Sequence, residues 1–259
     1  MKAKEIFNYL IKNAFYKQES TCDGIIAGNS EKDVKKVVVC FKLTAELIQK
    51  AVQGNYDMII AHEPTFATGD YPNPTLSIDV KKWEMLTQSE IVVCRFHDYA
   101  HNYAFDYIHA GFLKGIGLHV EYKYERESLG VCRYILKEEL TVREMAKLIE
   151  EKVGVEFVRV VGDSDAVVKT VALGLGGVGL EQVNILMDPG CDLFITGEVD
   201  EVCTCQYIND ACYFGEKKAI FLLGHCSSEY LGMRLLAEEL NKNLIEADYL
   251  HCGEVYRKV

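Results

Sequence analysis

The sequence predicts an α/β protein of two related, interlinked lobes with mixed, largely parallel sheets. Two observations carry that prediction. Short Val- and Ile-rich runs alternate with amphipathic stretches along nearly all of the 259 residues, which is the pattern of sheets covered by helices. The weakest region, residues 119–131 (HVEYKYERESLGV), is charged and poor in aliphatic side chains, and a strand–helix series lies on either side of it. The expected division is therefore residues 1–125 and residues 126–259, with the C-terminal segment able to pack back on the first lobe.

The elements follow in order. Residues 1–17 form an amphipathic helix with Ile6, Leu10 and Ile11 on one side. Strands are expected at 34–41, 56–62, 90–96, 132–137, 156–162, 168–174, 191–197, 217–224 and 244–249, each short, rich in Val and Ile, and bounded by turn or charged residues. Helical spacing fits 43–53, 77–88, 103–115, 141–154, 180–188, 202–215 and 228–243. Thr141 with Glu144 has the spacing of a capping box, and Gly154 stands where that helix should end.

Bulk composition excludes several functions. Hydrophobic residues are 49% and charged residues 26%, an ordinary globular balance. A net charge of -11 argues against a general nucleic-acid binder, which needs a surplus of Lys and Arg on one face. No stretch has the length to span a membrane. The opening residues MKAKEIFNYLIKNAFYK break any secretory signal with Lys, Glu and Asn. Ten cysteines without a CxxC pair point to a cytoplasmic, reducing setting with free, mostly buried thiols. The close pair Cys203 and Cys205 reads as two small residues on a helix rather than as metal ligands.

The polar residues that matter fall at strand ends. His62 and Glu63 follow YDMIIA, His97 follows EIVVCRF, and His101 comes four residues later. His225 follows KKAIFLLG, Glu229 again comes four residues later, and Glu198 closes CDLFITGE. His109, His119 and His251 fall elsewhere. Sites in open α/β sheets collect at the carboxyl ends of strands, and residues i and i+4 share a helix face. Each motif alone is equally a hydrogen-bonded structural histidine or a solvated helix contact. Together they form a candidate site for two divalent ions, since four His and two Glu suffice if one carboxylate bridges. Imidazole and carboxylate ligands suit Zn, Fe, Mn or Ni.

These segments carry a resemblance. TCDGIIAGN (21–29), the strand–helix–strand stretch 34–66 ending in AHEPTF, VALGLGGVG (171–179), CDLFITGEVDE (191–201) and GHCSSEYLG (224–232) resemble, in order, the motifs of the Nif-three-like dinuclear-metal-centre hexameric family, the GTP cyclohydrolase 1 type 2 homologues. Two departures stand out. Glu63 replaces the second His of the family's His-His-Pro, and His101 takes the place of an Asp, so the inventory stays at four His and two carboxylates. Glu229 is the first choice for a bridging ligand and Glu63 the second, and a shifted alignment would make Asp98 a ligand. The resemblance implies a Nif-three-like fold, a ring-shaped homohexamer with metals lining a cavity, and the short form without an inserted domain.

The function expected is a metal-dependent hydrolase of a small, nucleotide-like or phosphorylated substrate, with guanine-ring opening only an analogy. The rivals are a non-catalytic regulatory or structural metal-binding hexamer and a protein-interaction partner. Glu198 is the candidate general acid or base, or else a carboxylate stabilised at a helix N-terminus. GLGGVG at 174–179 reads first as a tight turn whose small residues allow close packing, and second as a phosphate-holding loop.

Overall fold

The computed structural model describes residues 1–12, 14, 20–102, 106–121, 126–128, 131–179, 183 and 190–256. The chain divides into two compact units, one formed by Met1–Tyr107 with Gly232–Val255 and the other centred on Ile108–Leu231.

The first unit begins with helix α1 (Ala3–Ile11), which buries Ile6 and Leu10. Residues 13 and 15–19 of the longer helix expected there lie outside the described residues. Strands β1 (Gly24–Ala27), β2 (Lys36–Lys42), β3 (Met58–Glu63) and β4 (Val92–Arg95) alternate with helices α2 (Ala45–Gln53) and α3 (Ser77–Ser89). The last strand, β12 (Glu246–Tyr249), returns to this unit and gives the order β1-β4-β3-β2-β12. β4, β3, β2 and β12 pair in parallel, whereas β1 is antiparallel to β4. β1 escaped the sequence reading because its four residues are too few to show a period.

Alternation along these strands separates two faces. Val38, Cys40, Ile59, Ala61 and Val93 pack against Leu47, Ile48 and Leu86 of the helices. Each large aliphatic side chain buried in this way contributes roughly 1.5–3 kcal/mol. Fixing the strands by this face also fixes where their last residues stand. Thr44 caps α2 by accepting the Leu47 N–H at 3.2 Å, and Lys82 of α3 donates to the carbonyls of Leu43 and Thr65, tying two loops at the strand ends together.

The second unit contains helix α4 (Tyr107–Ile116), strands β5 (Val120–Glu121), β6 (Arg126–Ser128) and β7 (Val131–Thr141), helix α5 (Val142–Val153), and strands β8 (Arg159–Gly162), β9 (Val167–Gly177) and β10 (Leu193–Glu198). A π-helical turn (Glu201–Cys205), helix α6 (Gln206–Tyr213) and strand β11 (Ala219–Leu222) follow. Helix α7 (His225–Asn243) starts in this unit and ends in the first. The sheet order is β5-β7-β9-β10-β11-β8, with β6 beside β7. Its centre, β9-β10-β11, is parallel, and antiparallel strands flank it. Ala172, Phe194, Ile220 and Leu222 build the core with Cys205 and Ile208.

Several expectations shift here. The helix expected at 103–115 begins at Tyr107, and 103–105 lie outside the described residues, as does 180–188 apart from Val183. GLGGVG is not a turn over its first four residues, because β9 runs through to Gly177. The close-packing role of its small residues is nevertheless what is seen: a Cβ on Gly174 would lie 2.8 Å from the Phe194 ring. All ten cysteines are free, most of them buried, and among the described residues no helix is long and apolar enough to cross a membrane.

The capping box at α5 forms as expected. Thr141 Oγ1 accepts the Glu144 N–H at 3.2 Å, and the Glu144 carboxylate accepts the Thr141 N–H at 2.8 Å. Thr141→Ala should cost about 1 kcal/mol of stability, whereas Thr141→Ser should cost little. Urea unfolding of the two variants checks this, and equal stability of Thr141→Ala and wild type would remove the cap from the account.

Candidate metal centre

Two clusters of ligand-type side chains form, one in each unit. In the first unit His62, the second-to-last residue of β3, is fully buried. The chain leaving β4 makes a tight turn at 97–101, in which the Ala100 N–H bonds the His97 carbonyl at 3.0 Å. The four-residue step from His97 to His101 thus lies in a turn and not on a regular helix, and the turn aims the two rings together. The ring centroids of His62 and His97 are 4.5 Å apart and stacked, and each lies 5.3 Å from that of His101. One nitrogen from each ring falls within 4.8 Å of the others. Glu63 joins at the edge, with Oε1 3.6 Å from His97 Nε2.

The turn is held by a residue far away in sequence. The Asp23 carboxylate, just before β1, accepts the N–H groups of His97, Asp98 and Tyr99 at 2.7, 3.1 and 2.8 Å. Three charge-assisted bonds to successive amides act as a cap without a helix.

The hydrogen bonds at Nδ1 decide which nitrogen each ring offers. His62 Nδ1 lies 2.9 Å from the Phe96 carbonyl oxygen, His97 Nδ1 3.0 Å from Asp98 Oδ1, and His101 Nδ1 2.9 Å from Asp106 Oδ2. A carbonyl or carboxylate oxygen only accepts, so Nδ1 carries the proton in each ring and Nε2 carries the lone pair. Metal-ligating histidines are oriented by this arrangement. Burial is the main influence that holds His97 below the usual histidine pKa, reinforced by the neighbouring His62 and His101 and opposed by Asp98. The neutral, ligating form is thereby favoured. Asp98 is held well below the usual carboxylate range, first by its hydrogen bond with His97 and then by the Cys22 N–H and the Thr21 hydroxyl, against the opposing effect of burial.

In the second unit His225 opens α7, and its Nδ1 lies 2.9 Å from Glu198 Oε1, the last residue of β10. Its Nε2 is 3.4 Å from Glu229 Oε2, one helical turn on, a carboxylate that is 2% exposed. Backbone approach here is very close. A Cβ on Gly176, whose φ is +78°, would lie 2.5 Å from Glu229 Oε1 and 2.9 Å from His225 Nε2. A Cβ on Gly197, between Thr196 and Glu198, would lie 2.5 Å from the Gly176 carbonyl and 2.8 Å from His225 Cα. Ser228 closes the packing by accepting the Gly176 N–H at 2.9 Å and donating to the His225 carbonyl at 2.8 Å.

The donor chemistry suits a divalent cation: imidazole Nε2 atoms and carboxylate oxygens at the ends of strands, with a proton-holding acceptor behind each ring.

The sequence profile described as Duf34/NIF3 (NGG1p interacting factor 3) matches residues 1–252. The chain belongs to the Duf34/NIF3 family. A GTP cyclohydrolase 1 type 2 homolog from Clostridium perfringens is 26% identical over 252 residues, covering 94% of this chain and 93% of the relative. One of the same name from Haemophilus influenzae is 24% identical, covering 81% of each chain. Among solved structures, protein ybgI superposes with a TM-score of 0.80 at 24% identity, over 99% of this chain and 100% of that one. A Bacillus cereus protein related to NIF3 superposes at 0.76 with 16% identity, over 100% and 99%. These likenesses establish the fold.

Within this NIF3-family chain, His62, Glu63, His97 and His101 come together in one unit, and His225, Glu229 and Glu198 in the other. Asp98 sits behind His97, as a support of the ring. Sequence reasoning assigned no role to Asp23, Asp106 or Ser228. Only Asp23 had a signal, its place in the TCDG segment of the resemblance; Asp106 and Ser228 act through contacts that no periodicity encodes.

Asp98 gives a pH prediction. Its folded pKa is below the unfolded value of about 3.9, so its contribution is present at neutral pH and fades as pH falls below about 4. In metal-free protein Asp98→Asn should therefore be less stable than wild type at neutral pH, with the gap closing in acid. A gap independent of pH in urea unfolding would contradict it. Glu198 gives a second. Glu198→Ala should weaken metal binding about 10- to 100-fold, while Glu198→Gln, which keeps an accepting oxygen, should recover most of it. Unchanged metal affinity in Glu198→Ala, measured by competition with a chelator, would show that the carboxylate does not position His225.

Proposed function

We propose that this chain is a dinuclear divalent-metal protein that hydrolyses a small nucleotide-like or phosphorylated substrate. The observation that carries the reading is the shared hydrogen-bonding pattern of four histidines. In His62, His97, His101 and His225 an oxygen acceptor occupies Nδ1, which leaves Nε2 as the donor toward a cation. With Glu63 and Glu229 the inventory across the chain suffices for two ions if one carboxylate bridges. The names of the curated relatives support a cyclohydrolase-type reaction as the nearest analogy.

Bound divalent ions supply an acidified water and positive charge near a developing oxyanion. The chain's own groups then have distinct tasks. The Phe96 carbonyl, Asp98, Asp106 and Glu198 orient the rings and hold the Nδ1 protons. Glu198, with its side chain 59% exposed, is in this reading a positioning residue for His225 instead of the acid or base that its strand-end location first suggested. Self-assembly into a homohexamer is part of the same proposal and predicts sixfold the chain mass by light scattering.

Elemental analysis tests the centre directly. Wild type should hold two divalent ions per chain, and His97→Ala/His101→Ala and His225→Ala/Glu229→Ala should each lose metal. Full retention by either variant removes that pair from the ligand set. Metal-reconstituted protein screened against nucleotides and phosphoesters then separates a hydrolase from a regulatory metal protein: the hydrolase reading expects turnover that disappears in both variants.

A further inference from the structure

Lys42 is the one charged side chain at the strand ends of the first unit that makes no hydrogen bond or ion pair to any described residue and yet is partly buried. It ends β2, directly opposite Glu63 at the end of β3, and Ala61 of β3 is opposite Arg95 of β4. Paired residues on neighbouring strands, and residues two apart on one strand, share a face. Lys42, Glu63 and Arg95 therefore share one face at the carboxyl ends of three parallel strands, the face opposite His62, and Glu63 reaches round the strand end to within 3.6 Å of His97 Nε2.

The charges around Lys42 are already committed. Arg95 Nη1 is 2.6 Å from Asp70 Oδ2, and Arg95 Nε donates to the His62 carbonyl at 3.3 Å. Lys82 is bonded to the carbonyls of Leu43 and Thr65. Glu63 is turned toward His97 and is assigned above to the metal. Once Glu63 faces a cation, the other described carboxylate that acts on Lys42 is Asp70, which is already paired with Arg95. Leaving an ammonium partly desolvated and unpaired costs free energy, and the cost shows in the pull of burial on Lys42, below the ordinary lysine pKa, against the opposing field of Glu63.

We propose that Lys42 seats a phosphate-type oxyanion of the ligand beside the metal centre, making it a specificity-determining residue for anionic substrates. The proposal rests on the metal-centre reading for the role of Glu63. An oxyanion there would supply a counter-charge for Lys42, and a compact ammonium suits such a group as a point charge.

The test titrates inorganic phosphate into metal-loaded wild type and into Lys42→Met, Lys42→Gln and Lys42→Arg by calorimetry, with metal content measured on the same samples. Both neutral variants should keep their metal and bind phosphate about tenfold or more weakly, the scale of one charge-assisted hydrogen bond. Lys42→Arg should recover most of the affinity. Equal phosphate affinity in wild type and a metal-replete neutral variant overturns the proposal, as does a metal-loaded wild type that binds no phosphate at millimolar concentration. A wild type that takes up no metal instead overturns the metal-centre reading, and the ratio between wild type and Lys42→Met still decides whether Lys42 seats the anion.

Discussion

An imidazole that carries its proton on one nitrogen offers its lone pair from the other, so whatever accepts the first hydrogen bond decides where the ring can bind a cation. That constraint governs both clusters. The acceptors differ, a main-chain carbonyl for His62 and carboxylates for His97, His101 and His225, but each faces Nδ1 at 2.9–3.0 Å. Main-chain and side-chain acceptors serve the same end because geometry, more than the chemical class of the acceptor, selects the tautomer.

Two kinds of support keep the acceptors in place. In the first unit, Asp23 fixes the backbone of the 97–99 turn through three amides, and Arg95 ties the His62 carbonyl to Asp70. In the second, close backbone approach does the work. Gly176 and Gly197 sit so near His225, Ser228 and Glu229 that no side chain fits at either position. Polar support costs desolvation and permits adjustment, whereas glycine support is purely steric and excludes every larger residue. The two clusters are thus built by different means from the same strand-end positions.

The exchange of carboxylate and imidazole between positions 63 and 101 acquires a physical sense in this setting. His101 lies in the buried turn with Asp106 behind it, where a carboxylate in its place would oppose that acceptor as a like charge. Glu63 stands at the carboxyl end of the central strand β3, facing His97 and opposite Lys42 on β2, where a cationic neighbour suits a carboxylate.

Much of this was legible in the residues alone. Strand-end placement identified His62, Glu63, His97, His101, His225, Glu198 and Glu229, because a strand's apolar run stops where the sheet does and the next polar residue stands at its rim. The box at Thr141 and Glu144 was equally local. β1 was not legible, since four residues show no period, nor was the course of β9 through the GLGGVG glycines, since glycine gives no alternation to read. The tertiary structure alone decided the roles of Asp23, Asp106, Asp98 and Ser228, the tautomers of His62, His97, His101 and His225, and the lack of a hydrogen bond or ion pair from Lys42 to any described residue. Sequence spacing carries information over one or two turns of chain. Hydrogen bonds such as that from His97 to Asp23, 74 residues apart, exist only after the strands have packed.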